Sequence, residues 1–153
     1  MNRIPVCVPA LDYLVDFFEK MVLLFPPELE TGALDSIRTL SDKFLLGIVS
    51  DTGFSPGWAM SEMMREQDVL RYFSFFSYSD ETGVAKPHPK AFQVLLDKLN
   101  ISPQEALHIG DIEATDILGA SSIGMHSIRY DGGMSNQQSS TMSASQADII
   151  LHN

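Results

Sequence analysis

Three carboxylates follow a short apolar run in ALHIGDIEATDILGA (Ala106 to Ala120): Asp111, Glu113 and Asp116. Across a turn and the first turn of a helix, Asp111 and Asp116 can face one point. Clustered carboxylates repel one another, so either one takes up a proton or a cation enters. Oxygen ligands with no Cys or His pair beside them suit Mg²⁺ rather than zinc. The competing reading is that Glu113 and Asp116 serve the start of the helix through its dipole, and both readings stand at this level. Glu113 is expected to face solvent.

Two other places carry chemistry. Ser50 ends the apolar run FLLGIVS and opens a loop with Asp51 and Thr52. A hydroxyl there, together with the backbone N–H groups of the loop, can hold a phosphate oxygen, which makes Ser50, Asp51 and Thr52 candidate phosphate-binding residues. Turns also favour Ser, Asp, Thr and Gly for their own geometry. Lys86 stands before a proline in GVAKPHP. From such a loop an ammonium can meet phosphoryl oxygens and a carboxylate, so Lys86 is the candidate catalytic and phosphate-binding lysine; the alternative is an exposed lysine. His88, between two prolines, is expected to shape the loop or touch substrate, and His108, inside ALHIG, to be a core or groove residue with a hydrogen-bonded ring.

The elements that must position these residues alternate between two periods. Residues 10–24 and 31–42 space their apolar side chains as helices do, with Pro26-Pro27 stopping the first. Phe44 to Ser50 is a continuous apolar run, expected as a strand buried on both faces. GWAMSEMMREQDVLRYF returns to helical spacing, with Trp58, Met60, Met63 and Met64 as helix packing or a cleft lining. FSFFSYS (Phe73 to Ser79) reads as a second strand, and its aromatic run from Tyr72 to Tyr78 as sheet core. KAFQVLLDKLN is a helix ending at Asn100, ALHI a third strand, TDILGASSIG a helix and MHSIRY a fourth strand. Residues 131–146 read as a polar, mobile loop, and Ala147 to Leu151 as an edge strand. Alternating strand and helix point to a parallel α/β sheet, whose ligands bind beyond the carboxyl ends of the strands. Ser50, Lys86 and Asp111 all follow strands.

Composition bounds the function classes. The chain has 153 residues, 44% of them hydrophobic, with a net charge of −10 and a pI near 4.6. An acidic chain without a Lys/Arg cluster is not expected to bind nucleic acid through phosphate contacts. Cys7 is the single cysteine, which excludes an internal disulfide and accords with a cytoplasmic protein; between apolar neighbours it is expected as a packed small residue. The apolar N-terminal stretch carries Asp16, Glu19 and Lys20, which excludes a membrane span there.

Taken in order, FLLGIVSDTG, GVAKPHPKAF and ALHIGDIEATDILGA resemble the second, third and fourth motifs of the haloacid dehalogenase superfamily. These are a hydroxyl residue after a strand, a lysine before Pro-x-Pro, and Gly-Asp-x4-Asp. The resemblance extends through RYFSFFSYSDETG and SSIGMHSIRY, over roughly residues 32–133. Each motif alone is unspecific; three in order, at the right separations, are not. The resemblance implies a Rossmann-like core (residues 32–153), a remnant of a helical cap (residues 1–31) and Mg²⁺-dependent hydrolysis of a small phosphomonoester through a phosphoaspartate. It implies that Ser50 binds a phosphoryl oxygen, Lys86 pairs with nucleophile and phosphate, Asp111 ligates Mg²⁺, and Asp116 supports the metal directly or through water. Dehalogenation uses no Mg²⁺, and the acidic set GDIEATD favours the phosphatase branch.

One part of the pattern is missing. The family's first motif, Asp-x-Asp at the end of the first strand, occurs nowhere in the sequence. The attacking carboxylate and the general acid go with it, so the chain is expected to be inactive alone. The alternative is a non-catalytic binding or assembly module, and a third reading makes Asp51 a displaced nucleophile. In relatives the first strand is central, between the second and the fourth. Without it two edges stay unpaired, at ~1–3 kcal/mol for each buried backbone group left unsatisfied. Arg3 to Val8 is a substitute strand that Pro5 disfavours. A second copy in a homo-oligomer, or a missing N-terminal segment, also completes the sheet.

Overall fold

In a computed structural model of the chain, residues 8–132 and 145–152 are described. They form two compact units, residues 8–46 with 52–74 and residues 47–51 with 75–132 and 145–152. Cys7, residues 3–7 of the candidate substitute strand, and residues 133–144 of the expected loop lie outside the described residues; Val8 opens the first helix.

The first unit holds α1 (Val8–Glu19), α2 (Met21–Leu24), α3 (Ala33–Ser41) and α4 (Gly57–Glu66), followed by a 3-10 turn at Leu70–Tyr72. The single helix expected over residues 10–24 is two helices, because the backbone leaves helical geometry at Lys20. The loop ahead of α4 is stitched to α1 and α2: Val22 N–H donates to Ser55 Oγ at 3.4 Å, and the Phe18 and Phe54 rings lie 5.0 Å apart. Ala59, Met63, Met64 and Val69 are buried, as helix packing requires, whereas Trp58 is 49% exposed. Tyr72, expected in the sheet core, receives hydrogen bonds from Arg38 and Arg71 at 2.9 Å each.

The second unit is a parallel α/β assembly of β1 (Gly47–Ser50), β2 (Phe75–Tyr78), α5 (Ser79–Thr82), α6 (Pro89–Leu99), β3 (Leu107–Gly110), a π-helical turn (Glu113–Ile117), α7 (Leu118–Ser122), β4 (His126–Asp131) and β5 (Ile149–His152). β1 pairs with β2, and β3 with β4 and then β5, every pair parallel. Asp131, expected in the loop, ends β4, and β5 is the expected edge strand. β1 is shorter than its apolar run. Phe44 and Leu45 stay outside it at 62% and 66% exposure, and every residue of β1 is only partly buried. The physical reason is its pairing: among the described residues β1 has a strand neighbour on one side only. The same holds for β3, whose Leu107 and Ile109 are about half exposed.

Helix α6 ties the two sheets together. Its start is set by Pro89 in the first turn and by His88, whose Nδ1 accepts the Lys90 N–H at 3.1 Å. Its end is set by Asn100 in the left-handed conformation, φ 53°. Its inner face buries Ala91, Phe92, Leu95 and Leu96. Val49 of β1 packs against the cluster of Ala91, Phe92 and Ala120, and the Phe92 ring meets the His108 ring of β3 edge to face at 5.1 Å. Ser77 of β2, 2% exposed, donates its hydroxyl to the Ala91 carbonyl at 2.6 Å. One helix thus sets the distance between the C-terminal ends of β1 and β3.

Phe92, 1% exposed, meets His108 of β3 and belongs to the cluster against which Val49 of β1 packs. Phe92→Ala is expected to cost about 3–5 kcal/mol, read in urea unfolding as a lower midpoint with an unchanged slope.

Candidate active site at the strand tips

Lys86 is held at both ends. Its backbone N–H donates to Asp51 Oδ1, just past β1, at 2.8 Å, and its ammonium reaches Asp116 Oδ1, just past β3, at 2.6 Å. The two charged side chains are 14% and 4% exposed. An ion pair so far removed from water is retained only where further hydrogen bonds satisfy it. Asp116 has them: His108 Nε2 lies 3.2 Å from the same Oδ1, and the Ile112 N–H donates to Oδ2 at 3.0 Å. Burial pulls the Asp116 pKa up. The hydrogen bonds from His108 and Lys86, the Lys86 charge and the Ile112 N–H outweigh it, and the carboxyl is held far below the usual carboxylate range.

The local chain explains the fit. A Cβ on Gly110 would stand 2.4 Å from the Asp116 Cβ, so only glycine lets the π-helical turn close over the tip of β3. The turn begins with Ile112, whose carbonyl accepts the Asp116 N–H at 2.8 Å while its own N–H takes the carboxylate.

The sequence-predicted residues fall into three groups. Lys86, Asp51 and Asp116 are brought into direct contact. Ser50 and Asp111 each adjoin that group through the chain, Ser50 before Asp51 and Asp111 before Ile112, and neither side chain has a hydrogen bond or ion pair among the described residues. Thr52 belongs to the first unit. Glu113, expected in solvent, is 12% exposed and bound: it accepts from Arg129 at 3.2 Å, from the Ser145 hydroxyl at 2.7 Å and from the Gln146 N–H at 2.8 Å. Burial raises its pKa, the three donors lower it, and the net direction is downward. Sequence reading missed this because Arg129, opposite Gly110 in the β3–β4 register, and residues 145–146 are distant in the chain.

A magnesium ion takes six oxygens. Both Asp116 oxygens already face protein donors, which leaves Asp111 as the free carboxylate, and among the described residues no group of three His, Cys, Asp or Glu could hold a metal. The described residues therefore do not by themselves make a complete magnesium site. What they make is an ammonium held between the tips of β1 and β3, with Ser50 ending β1 and Asp111 following β3 in the chain.

That geometry coincides with a family. The profile of the haloacid dehalogenase-like hydrolases matches residues 20–124. The chain belongs to this hydrolase family. It is 32% identical over 97 residues to a glyceraldehyde 3-phosphate phosphatase of Pyrococcus furiosus, covering 63% of this chain and 39% of that protein. It is 27% identical over 139 residues to a phosphoglycolate phosphatase of Shigella boydii, covering 90% of this chain and 51% of that protein. The chain thus spans about half the length, or less, of these two relatives. Its fold matches the crystal structure of the HAD-hydrolase YfnB from Bacillus subtilis bound to magnesium, with a TM-score of 0.68, 19% identity, and coverage of 99% of this chain and 69% of that one. The chain therefore has a HAD-like fold, and among the described residues no strand pairs with both β1 and β3. Among the described residues no helix is long and apolar enough to cross a membrane.

Asp116→Asn keeps the shape and removes the charge, leaving the Lys86 ammonium without its counter-ion. At neutral pH the expected loss is about 3 kcal/mol. The native Asp116 pKa is lowered, so its contribution is complete above the ordinary aspartate value of about 3.9 and is lost as pH falls below it. Urea midpoints measured from pH 7 down to pH 3 check both parts: the variant starts lower and falls less steeply in acid.

Proposed function

We propose that this chain carries the phosphate-holding part of a Mg²⁺-dependent phosphatase acting on a small phosphomonoester. The observation that carries the reading is Lys86, a nearly buried ammonium fastened between the tips of β1 and β3, with Ser50 and Asp111, whose side chains have no partner among the described residues, next in the chain to the Asp51 and Ile112 that take part in that network. In this reading the Ser50 hydroxyl donates to one phosphoryl oxygen, and the N–H of Asp51 adds to it. The Lys86 ammonium neutralises charge on a second oxygen as phosphorus is attacked. Asp116 keeps that ammonium in place, and Asp111 offers one oxygen to the metal. Mg²⁺, when bound, supplies Lewis-acid stabilisation of the phosphoryl charge. The two relatives are named for glyceraldehyde 3-phosphate and phosphoglycolate, which supports a small phosphorylated metabolite as the substrate.

The attacking carboxylate is not supplied by an Asp-x-Asp in this sequence. We place it on one further parallel strand between β1 and β3, contributed by a segment outside these 153 residues or by another chain. Three features support the placement: among the described residues each strand has a neighbour on one side only, both pack on α6, and Lys86 reaches from the tip of one to the tip of the other. The two strands would then stand two spacings of about 4.8 Å apart.

Turnover of p-nitrophenyl phosphate, with and without Mg²⁺, tests the reading on this chain and on a version extended upstream. The expected result is none for the chain as given and Mg²⁺-dependent turnover for the extended protein, reduced roughly 100-fold by Ser50→Ala. An extended protein without turnover overturns the proposal. Turnover by the chain as given, abolished by Asp51→Asn, moves the nucleophile to Asp51.

A further inference from the structure

We infer that His108 is a positioning residue: it orients the Asp116 carboxylate, and through it the Lys86 ammonium. The functional consequence rests on the reading of Lys86 as the cation that meets phosphate; the geometry does not.

Three donors from three segments converge on Asp116. Lys86 Nζ and His108 Nε2 share Oδ1, at 2.6 and 3.2 Å, and the Ile112 N–H holds Oδ2 at 3.0 Å. They differ in stiffness. The lysine ammonium rides on four methylene groups and follows its partner. The imidazole and the backbone amide are rigid, so these two fix the carboxylate plane. The ring is itself fixed, 12% exposed in β3 and set edge to face against Phe92 at 87°.

The alternation of β3 explains why the residue stands at this position. Side chains two apart share a face, so His108 lies on the side where Gly110 leaves room for Asp116, while Leu107 and Ile109 occupy the other side. His-x-Gly thus places a rigid donor and then an empty space under one carboxylate. The Nε2 must carry the proton to donate, which both the Nε2–H neutral tautomer and the imidazolium satisfy.

The test follows the Lys86 ammonium by ¹H–¹⁵N NMR in the full chain, comparing wild type with His108→Phe, which keeps the ring packing and removes the donor, and with His108→Gln, which restores a donor. The expected result is a slowly exchanging ammonium signal in wild type, its loss in H108F and its return in H108Q. An H108F chain whose backbone amide spectrum is native and whose Lys86 signal is unchanged overturns the inference. If H108F does not fold, His108→Leu is read in the same way. In the extended protein, H108F should lower kcat roughly 10-fold with little change in KM, and H108Q should recover it. If wild type has no turnover, the phosphatase reading fails while the NMR result still decides the role of His108.

Discussion

The second unit is organised around one ion pair, Lys86 with Asp116, set where water is scarce. Two charges lose several kcal/mol each on leaving water, and such a pair survives only in a frame that satisfies every remaining donor and acceptor. That requirement explains features that otherwise look unrelated: glycine at 110, where the carboxylate needs the space, an amide at Ile112 aimed back at Oδ2, and a histidine inside an apolar strand. The Lys86 backbone N–H on Asp51 anchors the other end, so one residue connects the tips of strands that belong to two separate ladders.

The frame beneath the pair is hydrophobic and centred on α6. Phe92 touches β3 through His108 and shares a cluster with Val49 of β1 and Ala120 of α7. The helix therefore holds β1 and β3 in relation to each other although they exchange no ladder hydrogen bonds with each other. The half-exposed apolar side chains, Leu107 and Ile109 of β3 and Phe44 and Leu45 ahead of β1 in the chain, lie on or next to strands that have a neighbour on one side only among the described residues. Burying such side chains gains roughly 25 cal/mol per Å², so the edges have both hydrogen-bonding and hydrophobic reasons to accept a further strand.

A second polar network closes the neighbouring tip. Glu113 gathers Arg129 of β4 with Ser145 and Gln146 ahead of β5, and Arg129 also meets Asp131 at 2.9 Å. Through Glu113 the chain that returns to the sheet edge is fastened beside the turn that carries Asp116. Both carboxylates of the π-helical turn are thus occupied by protein donors, and Asp111, just before it, is left open.

Local pattern was enough for the parallel α/β class, the order of strands and helices along the second unit, the end of α6 at Asn100, and the three strand-end motifs with their order, because backbone preference and apolar period are written into neighbouring residues. It was enough, too, for the absence of Asp-x-Asp. What each polar group touches was decided elsewhere. Asp116 became the partner of Lys86 and His108, Glu113 left solvent for Arg129, and Tyr72 met two arginines instead of the sheet core. These pairings join residues far apart in the chain, and a carboxylate looks the same in a sequence whether it meets water, a cation or an ammonium. Only packing brings the donors within reach, and a buried charge must take whichever partner the fold delivers.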